Sequence, residues 1–238
     1  MTTFAGRFDA ITFDFYNTLA QHRTGHGRGH MLMEYLREHG FESDPWEHQV
    51  LYDVFAADAA DYDPASTDGV LRRHRQNIAE RVFRRLNVRA PPAGAAEHAD
   101  DIWNLLGPSS LVVFPDVLPV LARLNAAGLR LAIISNWQCG LGPFCGELGL
   151  RAQFRHVLAS AEVGHAKPDP QIFHDACRRL GVPAHRVLHV GDSPADDLEG
   201  GRRAGVEVIL VCRDPSAGAL PGPSIPGLSH LPRLLGID

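Results

Sequence analysis

The chain has 238 residues, 45% of them hydrophobic, enough for one sizeable core, since chains of this length bury roughly 70% or more of their extended surface. A net charge of −5 argues against a nucleic-acid binder, which presents a basic surface, and no apolar run reaches the roughly 18 residues that span a bilayer. The four cysteines, Cys139, Cys145, Cys177 and Cys212, lack C-x-x-C spacing, and no basic-then-apolar leader opens the chain, so a reduced, cytoplasmic protein is expected.

In chain order, residues 10–15 (Ala-Ile-Thr-Phe-Asp-Phe) read as a buried strand that carries Asp14 to its C-terminal end. Four further apolar runs read as strands: residues 129–135, 156–160, 186–191 and 206–211. Most are rich in Val, Ile, Leu or Phe without clean alternation, as in strands covered on both faces. Helical spacing fills the intervals at residues 117–127, 170–180 and 196–204, each followed by a glycine (Gly128, Gly181, Gly205) suited to a C-cap. A Pro/Gly-rich stretch, 214–227, precedes a short closing helix near 231–235. Alternation of strand and helix predicts an α/β fold, a Rossmann-like doubly wound parallel sheet.

One interval breaks the alternation. Residues 21–108 hold no convincing strand but four amphipathic stretches, 31–38, 46–60, 70–86 and 95–106. This predicts an all-helical cap (21–108) inserted into a core formed by residues 1–20 and 109–238. Because the insertion starts just after Asp14, a lid that excludes water and selects substrate is the expected role. Residues 21–30 carry Gly25, Gly27 and Gly29 with His22, His26 and His30 four apart. Three glycines disfavour a helix, so a flexible hinge is expected rather than a metal site, with His22 exposed to solvent.

Four segments place polar groups at strand ends or in rigid turns: Asp14 with Thr18; Ser135 with Asn136; Lys167 in His-Ala-Lys-Pro-Asp-Pro; and Asp192 with Asp196 and Asp197. Singly, each could be an ordinary turn or cap. Together they supply a nucleophile, neutral donors, a cation and oxygen ligands for a hard divalent ion, the set that attack on a phosphoryl group requires.

In these four motifs, and in Phe114-Pro115-Asp116-Val117, the chain resembles the haloacid dehalogenase superfamily of hydrolases, in the branch with a helical cap after the first motif. The resemblance implies Asp14 as covalent nucleophile, Ser135 as a ligand of the transferring group and Lys167 as the neutralising cation. It implies Mg²⁺ held by Asp14, Asp192 and the main-chain carbonyl of Tyr16, with Asp197 as a further catalytic acid. Thr18, Asn136 and Tyr16 are expected to bind substrate, a small anionic molecule. Nucleic-acid and membrane partners are not expected, and the chain is expected to be a monomer or homodimer.

Tyr16 divides the possible reactions. Phosphatases of this family carry a second Asp two residues after the nucleophile, and that position here is Tyr16. A phenol titrates near pH 10, roughly, and is a poor base at neutrality. The family's L-2-haloacid dehalogenases have Asp-x-Tyr, because a halide leaves without a proton. They also have a Ser where Asp192 stands, an Asn at Pro194 and a Tyr at Phe173, and use a cap arginine where the local match, Trp46-Glu47-His48-Gln49, offers Glu47. A second carboxylate beside the nucleophile is repelled without a metal and becomes a ligand with one. The weight falls on a Mg²⁺-dependent phosphomonoesterase, with dehalogenase chemistry or a catalytically weakened binding protein as alternatives.

Overall fold

A computed structural model describes residues 4–23, 27–47, 50, 54, 68–89, 94–137, 140–214 and 218–237. Along the chain lie β1 (Ala10–Phe13), β2 (Ala20–His22), α1 (Arg28–Glu38), α2 (Asp68–Arg85), α3 (Ala99–Leu106), β3 (Leu111–Val113), α4 (Val117–Ala126), β4 (Arg130–Ser135) and α5 (Leu141–Glu147). They are followed by β5 (His156–Ala159), α6 (Ser160–Val163), α7 (Pro170–Leu180), β6 (Val187–Gly191), α8 (Glu199–Arg203), β7 (Glu207–Val211), β8 (Ser224–Ile225) and α9 (Leu231–Leu234). Among the described residues no helix is long and apolar enough to cross a membrane.

The chain divides into two compact units: residues 1–21, 113–136 and 149–238 form one, and residues 22–112 with 137–148 the other. The first holds a six-stranded sheet in the order β5-β4-β1-β6-β7-β8, every pairing parallel. All residues of β1 and β6 are buried, as are the last five of β4, which is why these strands read as unbroken apolar runs. From β1 the chain first builds outward through β4 and β5, then returns to β1's other side for β6 and β7. Strand order therefore reverses at the β1/β6 junction, the position where open α/β sheets bind ligands beyond their carboxyl ends.

Register brings the critical strand ends level. Phe13 pairs with Ile133 on one side and Val190 on the other, and the Asp14 N–H donates to the Val190 carbonyl at 2.9 Å. The five strands expected from sequence are all present. The short β2, β3 and β8 are additional; β2 pairs with β3 in a separate two-stranded sheet. Helix α7 begins as its residues dictate: the Asp169 side chain caps it by accepting from the Gln171 N–H, Pro170 occupies its first turn, and Gly181 ends it with φ 65°. Its Ile172, Phe173, Ala176 and Leu180 form one apolar cluster with Ala132, Ile134 and Leu158.

The second unit is helical. Leu32 and Leu36 of α1, Ile78 and Val82 of α2, and Ile102 and Leu106 of α3 share its apolar core, with Val50 and Val54. The stretch 46–60, expected to be amphipathic, lies mostly outside the described residues. The expected hinge differs in its second half, because α1 starts at Arg28 and takes in Gly29 and His30. Gly29 is required by packing: a Cβ there would lie 2.1 Å from Cε2 of the Trp46 indole. Arg28 is buried, donates to the Leu106 carbonyl at 3.0 Å and lies 4.0 Å from the Trp137 ring centroid. His22, expected in solvent, closes β2 and is only 4% exposed.

Candidate active site

Asp14, Ser135, Lys167, Asp192 and Asp197 all belong to the sheet unit, at or just beyond the carboxyl ends of β1, β4 and β6 or in the loop before α7. Asp14 follows β1 directly and is 6% exposed. On a single oxygen, Oδ1, it accepts from the Ser135 hydroxyl at 3.1 Å and from the Lys167 ammonium at 2.6 Å. Lys167 is 4% exposed and also donates to Asp197 Oδ1 at 2.6 Å, so one ammonium is shared between two buried carboxylates. Asn136 holds that lysine's main chain from both sides, its amide donating to the Lys167 carbonyl at 2.8 Å and accepting from the Lys167 N–H at 2.7 Å.

Asp197 owes its position to an unusual turn. Residues Pro194–Leu198 form a single π-helical turn, a wider winding that often marks functional sites. The Ser193 hydroxyl caps it by accepting from the Asp196 N–H at 3.1 Å. Asp197 folds back over the end of β6, where Oδ2 accepts from the Ser193 N–H at 2.9 Å. This path crosses Gly191, where a Cβ would sit 2.2 Å from Asp197 Cγ; no other residue fits there without moving the carboxylate.

The loop after Asp14 is tight. Asn17 N–H donates to the Ala20 carbonyl at 2.7 Å and Leu19 N–H to the Phe15 carbonyl at 2.9 Å. Asn17 takes φ 60°, a left-handed conformation that asparagine tolerates, and its side chain favours the charged form of Asp192. Thr18 is fully buried, and its hydroxyl has no hydrogen-bond partner among the described residues. Its carbonyl accepts from Arg213 Nη2 at 2.8 Å, and Arg213 also pairs with Asp116 at 3.1 Å. Tyr16 is half-buried in the same loop.

Charge is unevenly shared across this site. Burial pushes the Asp14 carboxyl up, the Lys167 charge pulls it back, and the Asp197 charge raises it again, with a net rise. For Lys167 burial opposes the charged form, but Asp14 and Asp197 outweigh it and keep the ammonium protonated. Burial would likewise raise Asp197, yet Lys167 and His189 hold it well below the usual carboxylate range. Asp192 has no comparable partner. Burial, then the charges of Asp14 and Asp197, push it up to about 7, despite the Asn17 amide and the Lys167 charge. One carboxylate oxygen from each of Asp14, Asp192 and Asp197 lies within 4.8 Å of the others. Three carboxylates with one ammonium leave an excess of negative charge at hard oxygen donors, which suits a divalent ion such as Mg²⁺.

Sequence reasoning does not single out His189 or Asn17. His189 is fully buried, with Nε2 2.9 Å from Asp197 Oδ1 and Nδ1 2.9 Å from Thr12 Oγ1. It lies inside the apolar run Val-Leu-His-Val-Gly, where it reads as one more strand residue; a titratable ring in a run buried on both faces is the signal that points to it.

A model of the haloacid dehalogenase-like hydrolases matches residues 8–205. Haloacid dehalogenase-like hydrolase domain-containing protein 3 of Bos taurus is 28% identical over 94% of this chain and 90% of that protein; with its Danio rerio namesake the alignment spans 78% of this chain and 65% of that protein. A phosphoserine phosphatase of Thermus thermophilus is 33% identical over 71% of this chain and 68% of that protein. Among solved structures, a 2-haloacid dehalogenase of Pseudomonas syringae superposes with a TM-score of 0.60 and 28% identity, covering 96% of this chain and 98% of that one. A family match across most of the chain, on a sheet whose switch point gathers Asp14, Ser135, Lys167 and Asp192, makes this protein a hydrolase of the haloacid dehalogenase-like family.

Proposed function

We propose that this hydrolase is a Mg²⁺-dependent phosphomonoesterase working through a covalent aspartyl intermediate on Asp14. The observation that carries the reading is Asp192, a half-buried carboxylate with its pKa pushed up to about 7 beside a second carboxylate already committed to Lys167. Such a group is poorly placed in a metal-free dehalogenase and well placed as a ligand. Asp14, Asp192 and the main-chain carbonyl of Tyr16 would hold the ion. When bound, it would offset charge on the phosphoryl oxygens.

The chain's own residues supply the rest. A carboxylate oxygen of Asp14 attacks phosphorus and the ester P–O bond breaks, leaving an aspartyl phosphate and an alcohol. Lys167 and the Ser135 hydroxyl, both within hydrogen-bond distance of Asp14 Oδ1, offset charge that builds on the phosphoryl oxygens. A monoanionic ester carries its own proton to the leaving oxygen, so Tyr16 need not supply one. Water then attacks phosphorus of the aspartyl phosphate, restoring the Asp14 carboxylate and releasing phosphate. Asn136 keeps Lys167 in place through its main chain, and the helical unit would act as the cap that selects a small anionic substrate. Phosphoserine, named for the Thermus thermophilus relative, is a sensible first compound to try.

A second reading has its own support: Tyr16 matches the Asp-x-Tyr of the dehalogenases, and a 2-haloacid dehalogenase is among the structural relatives at 28% identity. One experiment separates the two. The purified protein should release phosphate from some member of a broad monoester panel with Mg²⁺ and not with EDTA, and Asp14→Asn should abolish the release. Halide release from 2-chloropropionate in EDTA would overturn the phosphatase reading.

A further inference from the structure

A buried line of hydrogen bonds runs under the site, and its far half has no role in the chemistry described so far. Thr12 and His189 are direct register partners on the central strands β1 and β6. Both are buried, at 1% and 0% exposure. The Thr12 hydroxyl lies 2.9 Å from Nδ1 of His189, and Nε2 of the same ring lies 2.9 Å from Asp197 Oδ1. That oxygen is also the one that takes the Lys167 ammonium, which in turn reaches Asp14. The wall beside the imidazole is apolar: the Phe173 ring of α7 meets it edge to face, with centroids 5.1 Å apart.

A ring buried this deeply must satisfy both nitrogens, and here both have partners. The chemistry of those partners sets the proton's place. An ionised carboxylate only accepts, so Nε2 must carry a hydrogen to bond Asp197. In the neutral ring Nδ1 then accepts, and the Thr12 hydroxyl, which can donate, completes the pair. Asp197 thus has N–H donors from three directions: Lys167 and His189 on Oδ1, and the Ser193 main chain on Oδ2. A carboxylate held in this way cannot rotate, and the lysine it carries is held with it.

We propose that His189 is a positioning residue: the Asp197 carboxylate sets it as the Nε2–H tautomer, the Thr12 hydroxyl seats its Nδ1, and the ring in turn locks Asp197 so that the Lys167 ammonium stays on Asp14. The kinetic part of this inference rests on the phosphatase reading; the tautomer does not. The first measurement is therefore made on the full-length protein with ¹⁵N-labelled histidine, in which the ring nitrogens report their protonation directly. His189 is picked out among the 13 histidines by the resonances lost in His189→Gln. At neutral pH Nε2 is expected to bear hydrogen and Nδ1 to be bare, and either an unprotonated Nε2 or a protonated Nδ1 overturns the inference whether or not the protein hydrolyses anything.

The second measurement uses turnover with the best monoester found. His189→Leu should lower kcat on the order of 10–100-fold, the usual cost of losing a group that orients a catalytic ligand. His189→Gln restores an N–H donor near the Nε2 position and should recover most of the loss. A ring needed only for packing would give Leu and Gln variants equally impaired, and that result sinks the proposal, as does an unimpaired Leu variant. If His189→Leu fails to fold, Thr12→Val decides: it should cost a few-fold in kcat and shift the Nδ1 resonance, with recovery in Thr12→Ser. A Thr12→Val protein with wild-type kcat and an unmoved ring spectrum counts against it.

Discussion

The two flanks of the Asp14 carboxylate are built on opposite principles. On the Lys167 side every charge has a partner: the ammonium bridges Asp14 and Asp197 at 2.6 Å each, and Asp197 is further held by His189 and the Ser193 N–H. On the Asp192 side a carboxylate faces two like charges with little more than the Asn17 amide in support, and its pKa climbs to about 7. The first flank is a finished structure that the protein stabilises by itself. The second leaves a carboxylate facing like charges without a cation of its own. Under the phosphatase reading, a site in this form keeps Asp14 aimed while leaving one face for a divalent ion.

The largest effects should come from exchanging a single group on each flank. Lys167→Met leaves Asp14 and Asp197 buried without their cation, which should lower stability by about 3 kcal/mol or more, as expected when one partner of a buried pair is removed. Under the phosphatase reading turnover should fall by at least roughly 10³-fold, because the charge that would stabilise the transferring group is lost. Asp192→Asn should do the reverse to the fold. It removes a repelled carboxylate, so the metal-free protein at pH 8 should gain on the order of 1–3 kcal/mol, while Mg²⁺ should no longer raise its melting temperature. Denaturant melts of both variants with and without Mg²⁺ make the check. If both lose stability alike, the contrast between the flanks is wrong.

Tyr16 tests what the second flank lacks for chemistry. Under the phosphatase reading, Tyr16→Asp installs an acid/base two residues from the nucleophile and should raise phosphate release by up to about 10²-fold, the lower end of what such a group contributes. Tyr16→Phe should change it less than about threefold, since the phenol is not asked to move a proton. A Tyr16→Phe protein with no phosphate release, together with halide release by the parent, would move the balance to the dehalogenase side. A parent inert on every ester whose Tyr16→Asp variant is active would indicate a binding protein on a weakened hydrolase scaffold.

How much of the molecule is legible in its sequence follows from the physics of each residue. The five core strands are readable because burial on both faces leaves an apolar run, and Asp14, Ser135 and Asp192 are readable because each stands at the end of one. β2, β3 and β8, of two or three residues each, are too short to carry a period. Helix α5 (LGPFCGE) holds two glycines and a proline in seven residues and gives no helical signal. Gly29 reads as a hinge because sequence does not reveal that Trp46 lies where its Cβ would be. His22 reads as exposed for the related reason that a three-residue strand is invisible while the glycines beside it are not. His189 is hidden by its neighbours, and Asn17 by its φ of 60°, since backbone handedness is not written in residue type.

The flanks should also answer pH in opposite directions. Asp192 binds its proton more tightly when folded, at about 7, than at its ordinary 3.8. Above pH 4 the unfolded chain has released that proton while the folded one keeps it, so metal-free stability falls as pH rises through 7 and then levels off. Asp197 is shifted down, so its contribution is present above 3.8 and disappears only as pH falls through its depressed pKa. Divalent-ion affinity should therefore rise about tenfold per pH unit below 7 and flatten above it, with proton uptake by buffer on binding at pH 6 but not at pH 8.5. Titration calorimetry in buffers of different ionisation enthalpy measures that proton directly, and release at pH 8.5 equal to that at pH 6 would place the titrating group elsewhere.

The smallest perturbation gives the finest test of the same flank. Asn17→Gly keeps a residue that accepts φ 60°, so the turn should survive with a cost of about 1 kcal/mol or less. What it removes is the side-chain amide that favours the charged form of Asp192. Below pH 7 the variant should bind Mg²⁺ a few-fold more weakly, since more of Asp192 is protonated. At pH 8.5, where the carboxylate is ionised in either protein, the difference should shrink. A pH-independent loss would mean that Asn17 shapes the loop that carries the Tyr16 carbonyl rather than tuning Asp192. Asn17→Ala distinguishes these, because it deletes the same amide and adds the strain of a left-handed alanine, and that strain weakens binding equally at both pH values.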